Sequence, residues 1–153
     1  MNILALDLAT KTGWATHINS IRHSGIQDFS LARGESVGMR FLKLRGWLNR
    51  MRELMARIDV IYYEQAHHRG GGATAAGVGF VTEVLAFAAG HNIETAPVHT
   101  GTLKKFATGK GNASKDEMIQ AAINRGYRPK DDNEADAALL LDYAMCDLGI
   151  DPV

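Results

Sequence analysis

A chain of 153 residues, 46% hydrophobic and 22% charged, can form one soluble domain with its own core and needs no covalent staple. The single cysteine, Cys146, excludes an internal disulfide framework and a four-cysteine zinc site, and it suits a reducing cytosol. With 17 basic and 17 acidic residues the net charge is zero, which by itself counts against a nucleic-acid binder.

Charge is nonetheless segregated. Arg40, Lys43, Arg45, Arg50, Arg52 and Arg57 crowd one segment, and Lys104, Lys105, Lys110, Lys115, Arg125, Arg128 and Lys130 a second. Acids gather near the C-terminus at Asp131, Asp132, Glu134, Asp136, Asp142, Asp147 and Asp151. An enzyme that binds both phosphate and cations needs such a separation, although solvated helix faces produce it too. Met1 leads into NILALDLA with no basic region and no small-residue cleavage site. No apolar run approaches the ~18 residues of a membrane span. The expectation is a cytoplasmic protein with no membrane partner.

In chain order, residues 2–8 read as a short buried strand ending in an acid. Residues 13–19 and 21–30 follow as two strands of a meander. Ser36 is placed to cap a helix over 37–58, whose Val37, Phe41, Leu44, Leu48, Met51, Met55 and Ile58 form one apolar stripe. Trp47 lies in register with that stripe and reads as packing, and the arginines around it as the outer face. Residues 59–64, DVIYYE, form a second buried strand ending in an acid. QAHHRGGG is too glycine-rich for regular structure, so Gly70–Gly72 read as loop flexibility. A helix is expected over 73–90, then a strand over 92–98 delivering Pro97 into a loop.

Thr100 is placed to cap a short helix through Phe106, and TGKGN makes a turn. Ser114 and Glu117 have capping-box spacing and open a helix to about Arg125. A last helix is expected over 134–148. The whole chain, 1–153, therefore reads as a single α/β domain whose mixed sheet begins as an antiparallel meander and continues with parallel strands between helices.

Asp7 and Glu64 each end an apolar strand, where ligands of open α/β sheets gather. On adjacent parallel strands their carboxylates would be neighbours, a costly arrangement without a cation or proton between them. Asp136, near the start of ADAALLLDYA, can aim at the same place. An all-oxygen cluster suits Mg²⁺ or Mn²⁺ rather than zinc. Two such ions ~4 Å apart would activate water for phosphodiester hydrolysis. Singly, each acid has an ordinary explanation as a turn-former, a cap or a complement to a helix dipole.

ILALDLATKTGWA, VIYYEQ, LKKFATGKGNASKDEM and DDNEADAALLL together resemble the RuvC-type Holliday-junction resolvases of the RNase H-like nuclease superfamily. The resemblance extends over nearly the whole chain, and the compact length and DDNEADA ending resemble bacteriophage members. It implies an RNase H-like fold, with Asp7, Glu64 and Asp136 as catalytic metal ligands and Lys104 and Lys115 on the phosphates of the scissile region. It also implies a fourth ligand, Asp or His, where this chain has Asn133. An amide can coordinate but carries no charge and cannot act as a base. Asp132, one helical turn from Asp136, is the alternative ligand. Where bacterial members carry a wedging aromatic, this chain has His67, His68 and Arg69, which can stack on a base or bind phosphate. Lys110, between two glycines, can reach a phosphate or simply be solvated.

The resemblance thus implies a structure-selective, metal-dependent endonuclease that cuts four-way and other branched DNA, leaving a 5′ phosphate and a 3′ hydroxyl. Symmetric nicking implies a homodimer. The alternative is a catalytically weak or inactive branched-DNA-binding protein of the same fold, for which Asn133 speaks. A third reading, a fragment of the actin-like and sugar-kinase fold, needs a second lobe and phosphate motifs that the chain lacks, so no nucleotide cofactor is expected.

Overall fold

The computed structural model describes residues 1–65 and 74–151. Three strands open the chain: β1 (Ile3–Asp7), β2 (Lys11–Ile18) and β3 (Ile21–Asp28). Helix α1 (Met39–Leu54), strand β4 (Val60–Gln65), helix α2 (Ala75–Gly90) and strand β5 (Glu94–His99) follow, and then helices α3 (Thr100–Thr108), α4 (Lys115–Asn124) and α5 (Asp132–Asp147). The sheet order is β3-β2-β1-β4-β5, with β1–β2–β3 antiparallel and β4 and β5 parallel to β1 and to each other. The expected mixed sheet, meander first and parallel strands after, is what forms.

Side chains alternate across the sheet and divide the core in two. Ile3, Ala5, Val60 and Tyr62 face α3, α4 and α5, where Leu103, Met118, Leu139 and Leu140 meet them. Leu4, Leu6, Ile61 and Tyr63 face α1 and α2, packing on Leu44, Leu48, Phe80 and Val84. Trp47 lies in this second core against Trp14 and Phe29, with ring centroids 6.4 and 5.9 Å away. It is packing, as its register indicates.

Several boundaries differ from the sequence reading, each for a local reason. Helix α1 is capped by Gly38 rather than Ser36 and stops at Leu54, because Ala56 turns left-handed at φ 64°. The apolar stripe continues beyond the helix because the chain tucks Met55 and Ile58 under the sheet on its way into β4. Pro97 sits inside β5, opposite Tyr63, instead of in a loop. Proline is tolerated there because β5 is an edge strand. His99 is the N-cap residue of α3, which makes Thr100 its first helical residue, and α3 runs two residues past Phe106. Asp131 caps α5 by accepting from Glu134 N at 2.8 Å, so the last helix begins at Asp132, two residues earlier than expected. The Ser114–Glu117 capping box forms as read.

Helix α5 lies close on the sheet through alanines 135, 137, 138 and 144, all fully buried. The approach is tightest at Gly13, where a Cβ would overlap the Asn133 carbonyl. Two buried polar anchors fix the helix. Glu134 accepts from Ser24 Oγ at 2.9 Å and from Lys130 N at 2.8 Å. Asp142 accepts from Tyr127 Oη at 2.7 Å, Arg22 Nη1 at 3.0 Å and Arg125 Nη1 at 3.4 Å. A buried carboxylate needs that much compensation.

Gly13→Ala should therefore push α5 off β2. We expect a loss of about 1–3 kcal/mol in urea unfolding, with a smaller effect for Gly90→Ala, where no atom stands in the way of the added methyl.

Candidate active site

The pleat decides where the strand-end acids point. Leu6 pairs with Tyr63 across parallel β1 and β4, so Asp7 and Glu64 are the next neighbours up the ladder. Asp7 continues the side of Ile3 and Ala5, and Glu64 that of Val60 and Tyr62, so both project toward α5. Asp136, in the second turn of α5, meets them from above. One carboxylate oxygen from each of the three lies within 4.8 Å of the other two. The β1–β2 turn beneath Asp7 is closed by Thr12, whose hydroxyl donates to Ala9 O at 2.7 Å.

Three acids this close and half-buried resist ionisation together. Burial, then the charges of Glu64, Asp136, Asp132 and Asp131, hold the Asp7 carboxyl well above the ordinary carboxylate range. Asp136 is pushed up to about 7, by burial first and then by Glu64 and Asp132, against the opposing charges of Lys104 and Lys115. Glu64 is raised by burial too, but three groups draw it back: a hydrogen bond from Thr100, the charge of Lys104, and a hydrogen bond with Asp7. Oδ1 of Asp136 is buried without a hydrogen-bond partner. Such an orphaned oxygen in an acid-only cluster fits a hard divalent cation.

The remaining expected residues separate into groups. Lys104, on α3, reaches the cluster electrostatically. Lys115, first in α4, stands exposed at the rim, 3.6 Å from Asp132. Asp132 is thereby ion-paired and lies outside the three-carboxylate group, although its charge is felt there. The Asn133 amide donates to Lys11 O at 2.8 Å, stapling α5 to β2. Asp132 is not among the three carboxylates that lie within 4.8 Å of one another, while the Asn133 amide nitrogen is taken up by Lys11 O. The cause is the helix start: with Asp131 as cap, Asp132 and Asn133 occupy the first turn and Asp136 the second. Lys110 pairs with Glu117 at 2.8 Å and so braces the turn before α4. His67, His68 and Arg69 lie outside the described residues.

The sequence reading missed Thr100, which it took only as a cap, and the buried anchors Glu134 and Asp142. Glu134 stands in the acidic run DDNEADA, where nothing separates an inward acid from an outward one until the helix phase is known.

No family model matches the sequence, and no curated protein does. Solved structures do match. The Thermus thermophilus RuvC structure superposes with a TM-score of 0.71 at 16% identity, covering 97% of each chain. T. thermophilus RuvC in complex with a Holliday-junction substrate gives 0.76 at 15% identity over 96% of each chain. The yeast mitochondrial Holliday junction resolvase Ydc2 gives 0.58 at 17% identity, covering 90% of this chain and 75% of that one. The chain thus has the RNase H-like fold in its RuvC-type form, with a carboxylate cluster at the carboxyl end of its parallel strands.

These raised carboxyls have a consequence for stability. Without cations, the folded protein holds protons on the cluster between about pH 4 and pH 7 that the unfolded chain has released. Stability falls as pH rises through that window, because the folded state binds more protons there. In chelator at pH 8, Asp136→Asn should be more stable than wild type by roughly 1–3 kcal/mol, and the gap should close near pH 4. Urea unfolding at the two pH values measures it.

Proposed function

We propose that this protein is a structure-selective endonuclease that resolves four-way junctions and related branched DNA by metal-dependent phosphodiester hydrolysis. The observation that carries the reading is the Asp7–Glu64–Asp136 cluster, seated within a fold shared over nearly its whole length with junction resolvases, one of them solved on a junction. Mg²⁺ or Mn²⁺, two per site, is the cofactor that the oxygen-only donor set favours.

When bound, such ions supply Lewis-acid polarisation of the phosphate and a water acidified for attack. The chain's own groups do the rest. Asp7 and Glu64 are carried by paired strands and Asp136 by an anchored helix, so the three ligands are positioned before substrate arrives. Lys104 and Lys115 place positive charge beside the acids, where negative charge grows on the phosphoryl oxygens in the transition state. Asn133 serves by holding α5 to β2 through Lys11 O. Asp132 serves as the acidic partner of Lys115, which substrate phosphate can exchange for itself.

Cutting both strands of a junction symmetrically calls for two copies of this site, and we infer a homodimer. The outward face of α2 supports it. Ala75, Val78, Thr82, Leu85, Ala86 and Ala89 are exposed and uncharged, while the helix's one acid, Glu83, is turned aside to Arg45 at 3.0 Å. An uncharged face of this kind suits pairing with its own copy about a two-fold axis.

A synthetic four-way junction tests the reading. Wild type should nick it with Mg²⁺ or Mn²⁺ and fail in chelator. Asp7→Asn should bind the junction but cut it at least about 10³-fold more slowly, and Lys115→Ala should lose about 10²-fold in rate. Cutting by Asp7→Asn at the wild-type rate would overturn the metal mechanism. Tight binding without cutting in either metal would instead favour an inactive junction binder, and Asn133→Asp would then be the variant to assay.

A further inference from the structure

Strand β3 is an edge of the sheet. It pairs with β2 on one side, and among the described residues no strand pairs with the other. The β2–β3 hairpin turns through Asn19 and Ser20, at φ 50° and 66°, a two-residue turn whose closing pair shares its hydrogen bonds. Counted from Ile18–Ile21, the odd-numbered residues of β3 bond to β2. Phe29 N keeps that phase, donating to Thr10 O at 2.7 Å. The N–H and C=O groups of Arg22, Ser24 and Ile26 therefore face outward. Open edges are commonly guarded by proline, lysine or a bulge. β3 has no proline and no lysine, its register with β2 is unbroken, and its one arginine, Arg22, is drawn to Asp142 at 3.0 Å.

Arg22 and Ser24 turn their side chains to α5, so His23, Gly25 and Gln27 lie on the opposite face. On that face a pocket of about 400 Å³ opens between the meander and α1. Both tryptophans of the chain, Trp14 and Trp47, line it, with Ile18, Met51, Leu54 and Met55. Gly25 brings this apolar surface out to the edge, because a Cβ there would stand 2.6 Å from the Trp14 indole. The polar residues lining the pocket are Thr16, His23, Gln27 and Arg50, with no acid among them. Arg50 is exposed and has no ion pair among the described residues.

We propose that the β3 edge and the two-tryptophan pocket form a docking site for an extended, acidic peptide of a partner protein. The peptide adds to the sheet as a further strand and seats an aromatic side chain on Trp14 and Trp47. Strand addition supplies main-chain hydrogen bonds at Arg22, Ser24 and Ile26, and a pocket for an alternate side chain supplies selectivity. An aromatic ring suits two indoles, and a carboxylate suits the unpaired Arg50. Tryptophan and arginine are also the residues that most often carry the energy of such contacts. A second copy of this chain meets neither need. Its own β3 would bring Ile21, His23, Gly25 and Gln27 to this face, with no aromatic ring and no acid. The acid cluster projects from the other face of the sheet, toward α5, so docking here leaves the cleft free. The inference does not depend on the nuclease reading.

Because both tryptophans line the pocket, their fluorescence reports directly on its occupancy. The probe is a blocked heptapeptide of alternating threonine and valine, with a central phenylalanine and a glutamate at each end. Its companions carry a central alanine, lysine ends, or N-methyl groups on one or the other set of alternate amides. With the full-length protein the first peptide should give a saturable change in tryptophan emission. The alanine and lysine forms should bind at least about 10-fold more weakly. N-methylation of one alternate set should abolish binding, and of the other leave it within about twofold. Arg50→Glu, at an exposed position, should unfold at the wild-type urea midpoint and prefer the lysine-ended peptide. No saturable change with any of the peptides, or an unchanged preference in Arg50→Glu, would overturn the proposal. Equal effects of the two N-methylated forms would remove strand addition. Weaker binding at tenfold higher protein concentration would give the edge to a second copy, and displacement by a four-way junction would give it to DNA; either result overturns the peptide reading.

Discussion

Mutual repulsion among three carboxylates at one sheet end is the constraint around which this molecule is built. Asp7 and Glu64 sit on adjacent parallel strands with the same pleat parity, so the sheet cannot form without bringing them together. Helix α5 then adds Asp136 from above. In a half-buried setting each added charge raises the cost of the next. A scaffold that keeps such a cluster must hold it closed by contacts made elsewhere, and the strongest of those contacts all bear on α5.

Those contacts lie along the length of the helix. At its start, Asp131 caps the backbone, Glu134 ties to Ser24 and Lys130, and Asn133 reaches the Lys11 carbonyl. Gly13 lets the helix backbone settle directly on β2. Two turns past Asp136, Asp142 gathers Arg22, Arg125 and Tyr127. At the far end Asp147 accepts from Tyr62 Oη at 2.7 Å. The polar anchors thus bind α5 to β2, β3, β4 and the start of α4's return loop, while its alanines fill the space between. Freedom is removed from the element that carries the third acid, so the cluster's repulsion is borne as strain on a fixed frame and does not open it.

Much of this was legible from residue order alone. Strand-end acids after apolar runs marked Asp7 and Glu64, because a run such as VIYY has few roles other than a buried strand, and glutamate is a poor turn-former. The capping box at Ser114 is a local signal, and it held. The fourth acidic position was not legible, because the phase of α5 depends on which of Asp131, Asp132 and Asn133 becomes the cap. All three are good cap residues. Once Asp131 takes that place, Asp132 faces Lys115 and Asn133 faces β2. Thr100 was equally hidden: a threonine ahead of a helix reads as a cap, and its contact with Glu64 exists only because β5 lies beside β4.

The zero net charge, which by itself counts against a polyanionic substrate, changes meaning once the chain is folded. Asp7, Glu64 and Asp136 face one another in the cleft, and Glu134 and Asp142 are buried, Asp142 with Arg22 and Arg125 beside it. The cleft acids are thus gathered at one place and are not spread over the surface. Within the proposed function, cations in the cleft would cancel the cluster's charge at the place where DNA must lie. The field that a phosphate backbone meets is set by where charges are buried, and composition sums over charges that it never encounters.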